Sequence, residues 1–232
     1  ILDVRVPAML TWNPTADYTT WNTGIANWLE GAIPTSYQPG DSVIFDSVGL
    51  YAPSVTVYPV TVGTVTVNLP EYTYYYFMDA GGGAITGFNL EKSGAGILEL
   101  DVPATFSKGI RIAAGTVQIG NGGGVGSIGG SAITNHGSLV FNRTGTLVIP
   151  DTLTGSGSIL QQAAGTTRLT ATNSLYAVSG IFAGTLELGS PPAAGAIYND
   201  GTLALSLASD AALPNDISGI GGVTFLGPAA VT

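Results

Sequence analysis

The sequence predicts an all-β fold: a parallel β-helix, or solenoid, of roughly ten coils with a Trp-rich cap at its start. Three observations carry this: an internal repeat, a cadence of short alternating strands, and a composition poor in residues that clothe helices. In the first copy of the repeat stand Ile85-Thr86-Gly87, Gly94-Ala95-Gly96-Ile97-Leu98-Glu99-Leu100, Ala114-Gly115-Thr116-Val117-Gln118-Ile119-Gly120 and Ala132-Ile133-Thr134-Asn135-His136-Gly137. The second holds Leu153-Thr154-Gly155, Ala164-Gly165-Thr166-Thr167-Arg168-Leu169, Ala183-Gly184-Thr185-Leu186-Glu187-Leu188-Gly189 and Ala196-Ile197-Tyr198-Asn199-Asp200-Gly201. Gly155 follows Gly87 by 68 residues, Gly184 follows Gly115 by 69, and Asn199 follows Asn135 by 64. The copies span about 85–152 and 153–216, and a partial third, 217–232, opens on Ile217-Ser218-Gly219. Such self-similarity marks stacked units that complete their core only against a neighbour.

Composition agrees. Among 232 residues there are 34 Gly and two Met, and only 9% are charged, so Thr, Ser and Asn must supply the polar surface of strands and turns. A formal charge of −9 with six Lys and Arg in all excludes nucleic acid and anionic membrane as partners, since phosphate binding needs clustered cations. The absence of Cys removes disulfides and thiolate metal sites. No apolar run approaches the roughly 20 residues a membrane-spanning helix needs. The sequence opens on Ile1-Leu2-Asp3-Val4-Arg5-Val6 without a charged-then-apolar leader, as a mature or excised region would.

Residues 1–50 read as the cap and 51–232 as the solenoid repeats. The first region holds all three Trp (Trp12, Trp21, Trp28), the turn Gln38-Pro39-Gly40-Asp41 and the strand Ser42-Val43-Ile44-Phe45-Asp46. A stacked β-coil has an open end of unpaired backbone, and a capping segment blocks it. The rival use of the same rings is a carbohydrate platform, with Trp21 as a contact. From Ser54 to Val67, Val55, Val57, Val65 and Val67 alternate with polar residues, which is strand patterning. In Tyr72-Thr73-Tyr74-Tyr75-Tyr76-Phe77, alternation puts Tyr72, Tyr74 and Tyr76 on one face. That face is either packed or a contact surface for glycans or a protein partner.

Beyond Gly81, apolar strands at 97–100, 116–119, 138–141 and 158–161 start 19, 22 and 20 residues apart, one coil per interval. The inward positions are read as Ile97, Val117, Ile119, Leu139, Phe141, Leu186, Leu188, Leu203 and Leu205, with a phase ambiguity of one residue. Gly96, Gly115, Gly137, Gly145, Gly165, Gly184 and Gly201 precede strands and suit corners of positive φ, and Asn135 and Asn199 suit the same corners. The run Gly120-Asn121-Gly122-Gly123-Gly124-Val125-Gly126 reads as a mobile loop leaving the rod.

The phrase Lys92-Ser93-Gly94-Ala95-Gly96-Ile97-Leu98-Glu99-Leu100, followed by Ala114-Gly115-Thr116-Val117-Gln118-Ile119-Gly120, resembles the autotransporter-associated β-strand repeat of exported bacterial surface proteins. Leu10-Thr11-Trp12, Trp21-Asn22-Thr23, Asn27-Trp28 and Gly40-Asp41-Ser42-Val43-Ile44-Phe45-Asp46 are similar to the segment that precedes such repeats. The resemblance implies a right-handed parallel β-helix displayed at the cell surface or secreted. The sequence departs from that pattern in having no ten-residue amphipathic strands of a membrane barrel.

Chemistry is sparse. The 15 acidic residues are dispersed: Asp41 and Asp46 straddle one strand, Glu99 and Asp101 share a strand face, and Glu187, Asp200 and Asp210 stand apart. The single His136 occupies a turn whose counterpart is Asp200, so it reads as a turn residue. No triad, calcium loop, nucleotide loop or zinc-type His pair is present, and no cofactor is expected. The reading is a non-enzymatic extracellular scaffold or adhesin. Its partners are other copies of itself or surface glycans and proteins, met through Trp21, Tyr72, Tyr74 and Tyr76. Head-to-tail assembly would use Ile1, Leu2, Val4 and Val6 at one end and Val223 and Phe225 at the other. The alternative is a polysaccharide-binding or polysaccharide-degrading β-helix, which would need carboxylates converging on a lateral groove.

Overall fold

Short strands broken by Gly, Asn, Asp and Pro cannot form long hairpins, so the chain turns a corner every few residues and pairs with the coil before it. The computed structural model describes residues 5–171, 174–192, 195–229 and 231–232. About nine parallel coils stack into an all-β solenoid, and Ser47–Gly49 forms a short 3-10 turn.

Each coil presents up to three faces. The first carries Met9–Trp12, Ser42–Phe45, Thr64–Asn68, residues 89–93 and 110–112, Ile133–Asn135, and the starts of Leu153–Gln161 and Ser174–Ile181. On the second lie Thr20–Trp21, Ser54–Val57, Tyr74–Asp79, Ile97–Asp101, Thr116–Ile119, Ser138–Phe141, residues 158–161 and 177–181, Ile197–Asn199 and Ile217–Ser218. The third begins with Val60–Thr61, residues 85–87 and 103–106, and Ser127–Gly129. It resumes as a separate sheet of Thr146–Ile149, Thr166–Leu169, Thr185–Leu188, Thr202–Leu205 and Gly222–Phe225.

The sequence repeat is not the coil. Ile97–Asp101 and Thr116–Ile119 lie on the second face, but their counterparts Thr166–Leu169 and Thr185–Leu188 lie on the third. Ile133–Asn135 lies on the first face and its counterpart Ile197–Asn199 on the second. One copy therefore advances three coils and one further face.

Alternation fills the core. Val117, Ile119, Leu139, Phe141, Leu186, Leu188, Leu203 and Leu205 are buried as expected. Ile97 is not: it is 40% exposed, and Leu98 and Leu100 take the inside. Their register explains the phase, since Leu98 and Leu100 align with the buried Tyr75 and Phe77 on one side and Val117 and Ile119 on the other. A slip of one residue would send both leucines outward, at about 1.5–3 kcal/mol each.

The cap and the solenoid share one sheet. Met9–Trp12 pairs in parallel with Ser42–Phe45, and the hairpin of Trp28–Glu30 with Ile33–Thr35 pairs antiparallel to its edge. All three Trp are buried with Tyr37, Phe45, Tyr75 and Phe77, and Trp12–Trp28 and Phe45–Phe77 ring centroids are 4.9 and 4.7 Å apart. Such aromatic contacts add about 0.5–1.5 kcal/mol each beyond area burial. Buried Asp41 ties the region together by accepting from the Arg5 guanidinium and from the Ala8 and Gln38 amides.

The corners depart from simple turn chemistry. Of the seven glycines named above, Gly115, Gly145 and Gly184 have positive φ. Gly96, Gly137, Gly165 and Gly201 are required for a different reason: a Cβ there would run into backbone of the preceding coil. Asn135 and Asn199 do not adopt positive φ either. They are buried, and their amides donate across to Ser158 O (2.8 Å) and Gly222 O (2.9 Å) in the following coil. Lys92 and Gln161, 69 residues apart, are likewise buried at equivalent corners. The Lys92 ammonium donates to Ser93 O, Gly94 O and Ala114 O, and the Gln161 amide donates to Ala163 O and Gly165 O.

The glycine run at 120–126 is tethered rather than loose. Arg143 donates to Gly124 O (2.8 Å) and to Gly126 O, while Gly122 N donates to Asn142 O and Thr144 N to Gly123 O, both at 2.7 Å. Arg143→Ala is expected to speed hydrogen exchange at Gly122 and Thr144 while changing global stability by no more than about 1 kcal/mol. Exchange mass spectrometry across this peptide checks it, and unchanged protection refutes the tether.

Candidate functional site

Three loops at the cap edge bring a group of exposed tyrosines together. Pro70-Glu71-Tyr72-Thr73 forms the first, held by the Thr73 hydroxyl donating to Pro70 O at 2.7 Å. Tyr72 there has φ 63° and is 93% exposed. Tyr74 opens the strand Tyr74–Asp79 and is exposed, whereas Tyr75 and Phe77 alternate into the core. The second loop follows the 3-10 turn and supplies Leu50, Tyr51 and Pro53. Leu50, Pro53, Tyr72, Thr73 and Tyr74 line a shallow open depression. Tyr51 donates its hydroxyl to Asn13 Oδ1 at 3.1 Å, and burial pushes that phenol's pKa up.

The third loop carries Tyr18, at φ 69°, whose ring stands edge-on to Tyr51 at 6.5 Å. Asp17 holds this loop by accepting from the Thr19 and Thr20 amides and from Asn27 Nδ2. Burial alone would raise the Asp17 pKa, but hydrogen bonds from Thr20, Asn27 and Thr19 outweigh it and hold it at about 2.

The expected contact residues separate. Tyr72 and Tyr74 belong to this surface. Tyr76 points outward on the same strand but is half-buried, donating to Asp101 Oδ2 (3.0 Å) and accepting from Asn121 Nδ2 (3.3 Å). Trp21 packs within the aromatic core with no exposed surface, so it offers nothing to a ligand. Tyr18 and Tyr51 were not singled out by pattern. They sit in irregular loops where no periodicity applies, and their exposure depends on how the cap folds.

At the ends, Val6 is exposed, while Ile1, Leu2 and Val4 lie outside the described residues. Val223 and Phe225 are 38% and 54% exposed, beside Ile220 and Leu226 at 92% and 56%. The carboxylates do little together. Burial, with Asp101 adding to it, pushes Glu99 up, while Asp101 accepts from Tyr76. Glu187 pairs with Arg168 at 2.8 Å, Asp200 accepts from Tyr198, and His136 meets Ser156 Oγ. Among the described residues no three His, Asp or Glu side chains converge on a metal-sized site.

Comparison with known proteins adds one likeness. Over 51 residues, 22% of this chain, the sequence is 53% identical to the adhesin BmaC autotransporter of Brucella suis biovar 1 (strain 1330). That stretch is 2% of the adhesin's length, so the chain corresponds to a small part of that protein. No family model and no solved structure matches the chain. A β-solenoid with a partial likeness to an autotransporter adhesin fits an autotransporter-like passenger.

Proposed function

We propose that this chain is a non-enzymatic segment of a surface-displayed or secreted bacterial scaffold that acts in adhesion, built from autotransporter-associated β-strand repeats. One observation carries the reading: a continuous parallel solenoid with a match of 53% identity to an adhesin. Rods of this kind act through shape and side-chain display, and here the display is tyrosine with Thr and Ser rows. Such a row is Thr146, Thr166, Thr185 and Thr202, aligned across the third face. Beads coated with the purified chain should adhere to epithelial monolayers well above albumin-coated beads. Equal adherence would refute the adhesive role.

An exposed strand favours a second reading, head-to-tail assembly of copies of this chain. Strand Gly222–Phe225 is exposed at all four positions and bordered by Ile220 and Leu226, so it can template a strand from another copy. Light scattering over a concentration series should show growing assemblies that Phe225→Asp abolishes. A monomer at every concentration defeats assembly and leaves adhesion standing.

A further inference from the structure

We propose that Tyr18, Tyr51, Tyr72 and Tyr74 form a platform for an uncharged pyranose glycan. This rests on the adhesive reading and deepens it by naming the ligand class and the residues that meet it.

The backbone gives the first argument. Among the described residues only two non-glycines have positive φ, and they are Tyr18 and Tyr72. Both are exposed, at 59% and 93%, and both edge the same surface. Left-handed backbone disfavours a bulky aromatic side chain, and glycine or Asn would fill such turns more easily. Strained positions persist where surroundings hold them and cluster at ligand contacts. Here Asp17 holds one turn through Thr19 and Thr20, and Thr73 holds the other through Pro70.

Continuity gives the second. Tyr18 meets Tyr51 at 6.5 Å, and Leu50, next to Tyr51, lines the depression with Pro53, Tyr72, Thr73 and Tyr74. Two of the four phenols, Tyr72 and Tyr74, thus line one open hollow of about 180 Å³, smaller than the ~300–1,000 Å³ common for enclosed small-ligand sites, and Tyr51 and Tyr18 extend its rim beyond Leu50. A hollow of that size with five lining residues suits a single sugar ring, with neighbouring rings of the chain left to the flanking phenols, better than the ~800 Å² per partner of a stable protein interface. A sugar presents an apolar C–H face to an aromatic ring and hydroxyls to its rim, and tyrosine matches both.

Charge narrows the class. The segments 13–22, 46–54 and 70–75 contain Asp17, Asp46 and Glu71 but no Lys or Arg. Uronic, sialylated and sulfated glycans are therefore repelled. Asp17 is spent on its turn and Asp46 accepts from Val48 N, which leaves the exposed Glu71 at the rim to accept from a sugar hydroxyl. An uncharged glycan fits what remains.

The test titrates cellohexaose, laminarihexaose and N-acetyllactosamine oligomers into the whole chain by calorimetry, with polygalacturonate as the anionic probe. At least one neutral oligomer should bind and polygalacturonate should not. Tyr18→Gly combined with Tyr72→Gly should weaken that binding at least about tenfold while the melting temperature stays level or rises, because glycine accepts these turns freely. Tyr51→Ser with Tyr74→Ser, which leaves the turns untouched, should weaken it similarly. The proposal is overturned if no neutral oligomer binds by about 10 mM, if polygalacturonate binds as well, if both variants bind like the parent, or if only a protein surface is recognised. Glycan binding without bead adherence would refute the adhesive role and leave this platform standing.

Discussion

Gly184→Ala is expected to destabilise the solenoid by about 3–5 kcal/mol. Two effects combine at this corner. The backbone is left-handed at φ 66°, and a Cβ would collide with Gly165 O and lie 2.5 Å from Ala163 O, both backbone atoms of the preceding coil. Backbone cannot swing aside as a side chain can, so coils must separate and ladder bonds such as Thr185 N to Gly165 O (2.9 Å) are strained. Gly145→Ala is the control. Its φ of 71° is nearly the same, yet nothing lies within 4 Å of its Cβ position. Only the left-handed penalty applies there, about 1–2 kcal/mol. Urea midpoints of the two variants isolate the contribution of coil contact; equal shifts would mean that close stacking does not select glycine.

At pH 7, Lys92→Met is expected to cost about 2–3 kcal/mol, whereas Lys92→Gln should stay within about 1 kcal/mol of the parent. Methionine fills the space but leaves Gly94 O and Ala114 O without the ammonium that meets them at 2.9 and 3.3 Å. Glutamine already performs this task at the equivalent corner, where Gln161 donates to Ala163 O and Gly165 O. The pH dependence follows from burial, which pushes Lys92 down to about 8. An unfolded lysine keeps its proton to about 10.4. The unfolded chain thus binds more protons between those values, and stability contributed by this site rises as pH climbs from about 8 to 10. Lys92→Gln should remove that rise. Thermal melts at pH 7 and 9.5 on the three proteins check both statements, and a glutamine variant as unstable as the methionine one refutes the corner role.

Much of the architecture was legible because strand alternation is local. Val55, Val57, Tyr75 and Phe77 face inward simply because every second residue does. Phase failed at Ile97, where Ile97 and Leu98 are both apolar and only the neighbouring coils choose between them. The corners were half legible. Glycine spacing marked them, but a sequence does not distinguish a glycine chosen for φ, such as Gly145, from one chosen because another coil passes close by, such as Gly137. Asn135 and Asn199 looked like turn formers and instead donate to the next coil, a contact reaching beyond any local window. The tyrosine surface was legible at Tyr72 and Tyr74, which lie on or beside an alternating strand. Tyr18 and Tyr51 depend on three loops meeting.

The repeat advances by whole coils plus one face, so any marking it carries drifts around the rod as the stripe does on a barber's pole. The strands of Asn135 and Asn199 lie on different sides of the rod, and a third copy would be needed before the pattern closed its circuit. A partner lying straight along one flank therefore meets a changing text, while one that wraps obliquely meets the same phrase each time.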